Sequence, residues 1–150
     1  MFRGQYVHTI DGKGRTSLPS RFREVLRARG ESQLVLTTGL DLCLIAYPLR
    51  EWEAFEQRLA RLPQFDNVVA TVRRLCVSGA VECEVDRQGR ILIAASLRQH
   101  AALEREVIWA GMGRNLELWS RSRFDKLRRD LLSDQARRQE VARRLAELGL

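Results

Sequence analysis

Residues 4–22 read GQYVHTIDGKGRTSLPSRF, and residues 79–97 read GAVECEVDRQGRILIAASL. Both stretches contain the pattern D-x-x-G-R, at 11–15 and at 86–90, and an apolar residue follows three positions later. The two patterns are separated by a constant offset of 75 residues. Self-similarity at a fixed offset indicates that one structural unit has been used twice.

The similarity continues beyond the turn at a shorter offset of 72 residues. Aligning LVLTTGLDLCLIAYPLREWEAF with EVIWAGMGRNLELWSRSRFDKL pairs Val35 with Val107 and Tyr47 with Trp119. Two copies of the unit therefore fill most of the chain. We predict four parts: a first repeat (1–63), a connecting helix (64–78), a second repeat (79–132) and a helical tail (133–150).

Each copy has the same predicted order of elements. A strand with alternating apolar residues leads into the D-x-x-G-R turn, and a second short strand follows. In the first copy Pro19 opens a helix that Gly30 ends, Pro48 opens another, and Asp66 can cap the connecting helix. The buried side of the helix that closes the second copy is predicted to consist of Phe124, Leu127 and Leu131.

These elements predict an α+β fold of two pseudo-symmetric halves with flanking helices. Neither half alone buries enough apolar surface to be stable, so the halves are expected to share one sheet or barrel.

The charge of the chain favours a polyanionic partner. Lysine and arginine number 26 against 19 acidic residues, which gives a net charge of +7. Only Lys13 and Lys126 are lysines, so nearly all of the positive charge is guanidinium, which suits phosphates and base edges. The excess favours nucleic acid over an acidic protein or a membrane surface.

Other functional classes lack their signatures. The three cysteines form no C-x-x-C pair, and only two histidines are present, so neither a zinc site nor a disulfide framework is expected. His8, Asp11 and Ser17 straddle a tight turn, and no nucleophile elbow or phosphate-cradling loop is found. We expect no catalysis, cofactor, metal or small-molecule substrate. No apolar run approaches the ~20 residues that span a bilayer, so a soluble cytoplasmic protein is expected.

The D-x-x-G-R turn first admits a purely structural interpretation. Asp11 and Asp86 can accept hydrogen bonds from backbone N–H groups two residues on, and Gly14 and Gly89 can adopt a positive φ. These four residues are therefore predicted to shape the loops. Each aspartate is also close enough in sequence to pair with the arginine of its own motif, so the turn can be a hairpin lock that needs no ligand.

The second interpretation is that the turns present charge to a ligand. Lys13 and Arg87 are predicted at the two tips, as equivalents of each other, and a hairpin lock does not require them. Arg15 and Arg90 begin the two return strands. Pseudo-symmetry would place both basic loops on one face, an arrangement suited to the phosphates of a duplex.

The two motifs, together with the step Ala46–Tyr47–Pro48 and Trp52 between them, resemble the MraZ family of bacterial transcriptional regulators, whose halves are SpoVT-AbrB-like domains. The resemblance extends from Met1 to about Leu132. It implies a swapped-hairpin-type β-barrel and ring-shaped homo-oligomers. It also implies a nucleoid-associated protein that binds double-stranded promoter DNA at repeated elements of the division and cell-wall gene cluster, its own promoter included, usually as a repressor.

The resemblance also assigns roles to residues. The arginine of the family motif, which contacts DNA, falls on Arg15 and Arg90. The second copy departs from the first in having Ala94 where the first has Pro19. A protein-interaction module or antitoxin-like subunit built on the same barrel is the alternative function. The first helix has a basic face that consists of Arg21, Arg23, Arg27 and Arg29. We predict that this face is solvated. It would extend the phosphate-binding surface only if the helix packs behind one of the loops.

Overall fold

The computed structural model describes all 150 residues, which form two compact units, Met1–Ser120 and Arg121–Leu150. The first repeat and the connecting segment supply β1 (Gln5–Thr9), β2 (Arg15–Ser17), α1 (Ser20–Ala28), β3 (Gln33–Thr38), β4 (Leu44–Pro48), α2 (Leu49–Ala60) and α3 (Asn67–Val72), which continues as a π-helical turn at Arg73–Val77. The second repeat supplies β5 (Val81–Glu84), β6 (Arg90–Leu92), α4 (Ala95–His100), β7 (Glu106–Gly111) and β8 (Leu116–Ser120). The second unit consists of α5 (Arg121–Ser133) and α6 (Gln135–Glu147).

The helix boundaries confirm the start and stop signals of the sequence. Pro19 and Pro48 stand immediately before α1 and α2 with φ near −50°, the value the proline ring imposes. Gly30 follows α1 at φ +67°, where a residue without Cβ is favoured. The carboxylate of Asp66 accepts hydrogen bonds from the N–H groups of Val68 and Val69, so it caps α3 as predicted.

The main sheet has six strands in the order β1-β7-β8-β4-β3-β5, and every pairing is antiparallel. The strands β1, β3 and β4 of the first repeat are equivalent to β5, β7 and β8 of the second. When each strand is replaced by its equivalent, the same strand order is obtained in reverse. The sheet therefore has a pseudo-two-fold axis, which passes between β4 and β8, where Ile45 lies opposite Glu117. This arrangement confirms the predicted pseudo-symmetric halves within one sheet.

A two-stranded ribbon of β2 and β6 joins the two edges of that sheet. Thr16 lies opposite Ile91, its own equivalent at the offset of 75, so the pseudo-two-fold axis also passes through the ribbon. Leu18 N–H donates to the Gly89 carbonyl at 2.8 Å, and Ile93 N–H donates to the Gly14 carbonyl at the same distance. Because each turn holds the return strand of the other repeat, the hairpins are interlocked, as expected for a swapped-hairpin barrel.

The strand registers correct one alignment. Leu34 pairs with Pro48 in the first repeat, and Val107 pairs with Ser120 in the second. The structural equivalent of Val107 is therefore Leu34, and the pairing of Val35 with Val107 is wrong by one residue. The β3–β4 loop is one residue longer than the β7–β8 loop, and an alignment without gaps cannot register this difference.

The core lies inside the closed arrangement of strands and is capped by α1 and α4. Trp109, Phe2 and Phe22 are the largest fully buried side chains. Phe22 receives the rings of Phe2 and Tyr6 edge-on, with centroids 5.6 and 5.1 Å away. Both repeats contribute to this single cluster, which explains why neither is expected to fold alone.

The second unit buries none of its side chains. The prediction that Phe124, Leu127 and Leu131 form a buried side is wrong: Phe124 is half-buried, and the leucines are 42% and 37% exposed. The three residues do lie in a helix, as their spacing predicts, but the spacing does not determine whether the rest of the chain covers their apolar side. None of the helices in the protein has the length and apolar character needed to cross a bilayer.

We expect Ile91→Ala to lower the free energy of unfolding by about 2–5 kcal/mol, because it removes a side chain that is 1% exposed at the centre of the ribbon. The neighbouring Leu92→Ala is the control, since Leu92 is 58% exposed and its loss should cost less than about 0.5 kcal/mol. Denaturant unfolding of both variants measures the difference. Equal destabilisation would contradict the placement of the ribbon against the core.

Candidate nucleic-acid interface

The first turn is organised by one carboxylate. Asp11 Oδ1 accepts hydrogen bonds from the N–H groups of Lys13 and Arg15, at 2.9 and 3.0 Å, and Oδ2 accepts one from Arg15 Nε at 2.9 Å. The Asp11 N–H donates to the Arg15 carbonyl, and the Gly14 N–H donates to the Asp11 carbonyl. Gly14 has φ +86°, the left-handed conformation that glycine adopts without strain. The bend of the loop therefore depends on the Asp11 carboxylate and on the left-handed conformation of Gly14.

The second turn repeats this geometry. Asp86 Oδ1 accepts from the N–H groups of Gln88 and Arg90, each at 2.9 Å, and Oδ2 accepts from Arg90 Nε at 3.2 Å. Gly89 has φ +76°. The residue that occupies the place of Lys13 is Gln88, so the predicted equivalence of Lys13 and Arg87 is wrong by one position. Both Lys13 and Arg87 are nevertheless exposed at the tips.

The two motif arginines lie on one face of the ribbon. Side chains alternate along a strand, and Thr16 and Ile91 point into the core. Arg15 and Arg90 therefore point outward, on either side of the pseudo-two-fold axis. As diagonal neighbours of an antiparallel pair, their backbones are separated by about 7–8 Å. Their side chains are 37% and 35% exposed, so each is held against the protein and still reachable.

The hairpin lock leaves most of each guanidinium available. Only Nε of Arg15 and Nε of Arg90 bond to the aspartate of the same turn, and the terminal nitrogens have no protein partner. A guanidinium fixed through Nε presents its two Nη groups in a set direction, as bidentate recognition of a phosphate or a guanine requires. The lock and the ligand-binding interpretations are thus compatible, because the lock orients the group that remains open.

The turn also keeps its aspartate ionised. The backbone N–H of Arg15, the guanidinium of Arg15 and the N–H of Lys13 together hold the pKa of Asp11 below its ordinary value. The backbone N–H and guanidinium of Arg90, with the N–H of Gln88, lower the pKa of Asp86 in the same way. Hydrogen bonds that stabilise the charged form are the cause in both turns.

Two arginines lie against the turns of the opposite repeat: Arg23, which the sequence placed only on a solvated basic face, and Arg98, which sequence reasoning did not single out. Arg23 in α1 lies over Gly89, where a Cβ would collide with its guanidinium, and its Nη1 lies 3.5 Å from the Gln88 carbonyl. Arg98 in α4 lies over Gly14, where a Cβ would be 2.9 Å from Arg98 Nε. Arg23 and Arg98 are equivalents at the offset of 75, and extending the repeat alignment into the helices would have found the pair.

The strands beside the turns break the pseudo-symmetry. His8 Nδ1 lies 2.7 Å from Ser17 Oγ, whereas the equivalent Cys83 Sγ lies 3.4 Å from the Leu92 carbonyl. The carboxylate of Asp11 is held by its own turn and bonds neither His8 nor Ser17. Burial raises the pKa of the Cys83 thiol to about 11, so this side chain is a protonated, apolar partner of the core. One half is hence polar and the other apolar at this position.

The interlocked halves and paired turns define a class: two-repeat α+β proteins with SpoVT-AbrB-like halves. A family model described as "MraZ protein, putative antitoxin-like" matches residues 1–75 and again residues 76–147. The chain belongs to the MraZ family. It is a transcriptional regulator and not an enzyme.

Relatives named "Transcriptional regulator MraZ" are similar over most or all of the chain. The protein of Pelotomaculum thermopropionicum is 44% identical over 150 residues, which cover 100% of this chain and 99% of the relative. The protein of Alkaliphilus oremlandii is 45% identical over 150 residues, all of both chains. The protein of a Thermoanaerobacter species is 48% identical over 126 residues, 84% of this chain and 85% of the relative.

Gly14→Ala should destabilise the protein by more than about 1 kcal/mol. The alanine would have to keep φ +86°, which is strained for a residue with a side chain, and its Cβ would lie 2.8 Å from the Ile93 carbonyl oxygen. Gly12→Ala in the same turn is the matched control, because a Cβ there meets nothing within 4 Å. Thermal or denaturant unfolding compares the two variants. Similar stabilities would show that the turn does not depend on the left-handed glycine.

Arg15→Ala should raise the pKa of Asp11 only part of the way to its ordinary value of about 3.9, because the backbone N–H of residue 15 still donates to Oδ1. Asp86 in the same molecule is the internal control and should keep its lowered pKa. Carboxyl carbon NMR shifts followed against pH give both values. Since each carboxyl pKa is lowered by folding, the turns stabilise the fold fully above about pH 4, and this stabilisation is lost as pH falls through the lowered pKa. A complete return of Asp11 to its ordinary pKa would contradict the dominant role of the backbone N–H.

Proposed function

We propose that this regulator binds double-stranded promoter DNA sequence-specifically through its two D-x-x-G-R turns. The observation that carries the proposal is the presentation of Arg15 and Arg90, whose guanidinium groups are oriented through Nε and keep their Nη groups open on one face. In this proposal they contact base edges or phosphates. Lys13 and Arg87, exposed at the tips, contact phosphates.

Symmetry and charge support a duplex as the ligand. The local two-fold symmetry of a DNA backbone suits two equivalent basic groups placed about a pseudo-two-fold axis. The net charge of +7 favours association with a polyanion and predicts binding that weakens as salt rises. The guanidinium groups of Arg15 and Arg90 are already held by the aspartates of their own turns, so little ordering of these two side chains is needed on binding.

Several finer features of the proposal rest on the family resemblance. They are ring-shaped homo-oligomers, recognition of repeated promoter elements in the division and cell-wall gene cluster, repression that includes its own promoter, and a cytoplasmic, nucleoid-associated location. Exposed apolar side chains are consistent with self-association, notably Leu40, Phe65 and Val68, which are 82%, 99% and 73% exposed. One protomer offers few base contacts, so useful affinity would come from several subunits meeting successive repeats.

The competing function is a protein-interaction or antitoxin-like module that uses the same barrel to hold a partner, in line with the wording of the family description. The salt dependence separates the two functions. Phosphate contacts release counterions, so the logarithm of the DNA association constant should fall by about 0.9 per contact for each unit of log salt. An apolar protein interface would show little dependence.

Arg15→Ala and Arg90→Ala should each weaken binding to the promoter upstream of the protein's own gene by about 5- to 150-fold, if each arginine makes a bidentate base contact worth about 1–3 kcal/mol. Gel shifts on this DNA and on DNA with the repeats scrambled measure the effect. The control is Arg61→Ala, which removes the same charge from an exposed position at the end of α2.

The outcomes separate the roles of the arginines. A loss confined to the intact repeats indicates base contacts, whereas an equal loss on both DNAs with a shallower salt slope indicates phosphate contacts. Unchanged promoter affinity and salt slope in folded, oligomeric Arg15→Ala and Arg90→Ala variants would refute the assignment of the turns.

A further inference from the structure

A pocket of about 120 Å³ lies between the last turn of α1 and the second D-x-x-G-R turn. Its cationic wall consists of Arg23 and Arg27 from the first repeat and Arg87 from the second. Leu26 and Val85 add apolar surface to the lining. The pocket therefore joins the two repeats and opens beside the loop that carries Arg90.

The acidic groups of the pocket are engaged elsewhere. Asp86 binds three donors of its own turn, and Glu31 Oε2 accepts a hydrogen bond from the N–H of Arg50 at 3.2 Å. Neither Arg27 nor Arg87 forms an ion pair within the protein. Three arginines and two acidic residues line the pocket, and several guanidinium groups on a concave, partly apolar surface are typical of an anion site.

The pocket depends on a difference between the repeats. Helix α1 has nine residues and its equivalent α4 has six. The additional turn at the end of α1 supplies Leu26 and Arg27, and α4 ends at His100 without a corresponding turn. The lining is therefore specific to the second loop.

We propose that this pocket binds a phosphate group. The inference rests on the proposed DNA-binding function when the phosphate is a backbone phosphodiester of the bound duplex, and it stands alone when the phosphate belongs to a free ion or a phosphorylated small molecule. Arg27 and Arg87 supply terminal N–H donors, and Arg23 is anchored at the edge through the Gln88 carbonyl. In the first case the second loop carries a phosphate contact beyond those of the motif itself.

The DNA arm of the test compares Arg27→Ala with Arg21→Ala. Both positions are exposed on α1, but only Arg27 lines the pocket, so the two variants lose the same charge from the same helix. The logarithmic salt slope of promoter binding should become shallower by about 0.9 for Arg27→Ala and stay unchanged for Arg21→Ala. Arg27→Lys should restore the slope, because the positive charge is retained.

The second arm titrates the DNA-free protein with sodium phosphate at constant ionic strength, with chloride as the control, and follows the amide NMR signals of Ser32 and Gly89. A saturable shift that Arg27→Ala abolishes, together with competition between phosphate and promoter DNA, identifies a free phosphate as the ligand. A changed salt slope without saturable phosphate binding identifies the DNA backbone.

The proposal is overturned if Arg27→Ala and Arg21→Ala behave alike in both arms. Failure of the pocket is distinguishable from failure of the proposed function. If Arg15→Ala weakens promoter binding while Arg27→Ala changes nothing, phosphate binding by the pocket is refuted and DNA binding by the turns is retained. If the unmodified protein binds no promoter DNA, the proposed function falls, and the phosphate titration alone decides the pocket.

Discussion

The carboxylate at the start of each D-x-x-G-R turn is the interaction on which the rest of the structure depends. With two oxygens it fixes two backbone N–H groups and one guanidinium, and so sets both the bend of the chain and the direction of the arginine. The bend in turn places the Gly14 carbonyl where Ile93 of the other repeat donates to it. The same few bonds therefore close the barrel and orient the exposed cations.

The fold was largely predictable because its signals are local or repeated. The helix start signals are local, because each of Pro19, Pro48 and Asp66 lies at the start of its own helix. The repeat signal is preserved in the ribbon, where Thr16 pairs with Ile91 at the same offset that separates the D-x-x-G-R motifs. The β3–β7 alignment failed because a difference of one residue in a loop leaves the hydrophobic pattern intact on both sides. The prediction that Leu127 and Leu131 are buried failed because helical periodicity identifies an apolar face but does not show what covers that face.

The residues of the candidate site could be named from the sequence, but the geometry in which the structure holds them could not. Sequence could name Asp11 and Arg15, but it could not decide between a lock and a ligand contact, since the answer lies in which nitrogen of the guanidinium is bonded. It also placed Arg23 only on a solvated face and did not single out Arg98, because the groups that these arginines contact lie in the opposite repeat and far along the chain. Contacts between interlocked hairpins leave no local pattern to read.

The contrast between His8 with Ser17 and Cys83 with Leu92 has a consequence for orientation. A DNA-binding protein with exact two-fold symmetry binds a site identically in either orientation when its two-fold axis points at the DNA. A chain that carries both halves covalently joined can let each half diverge, so that turning the molecule around gives a different complex. In the proposed DNA complex, such a molecule has a direction along the helix axis, and successive copies bound to one face of the double helix can all have the same direction.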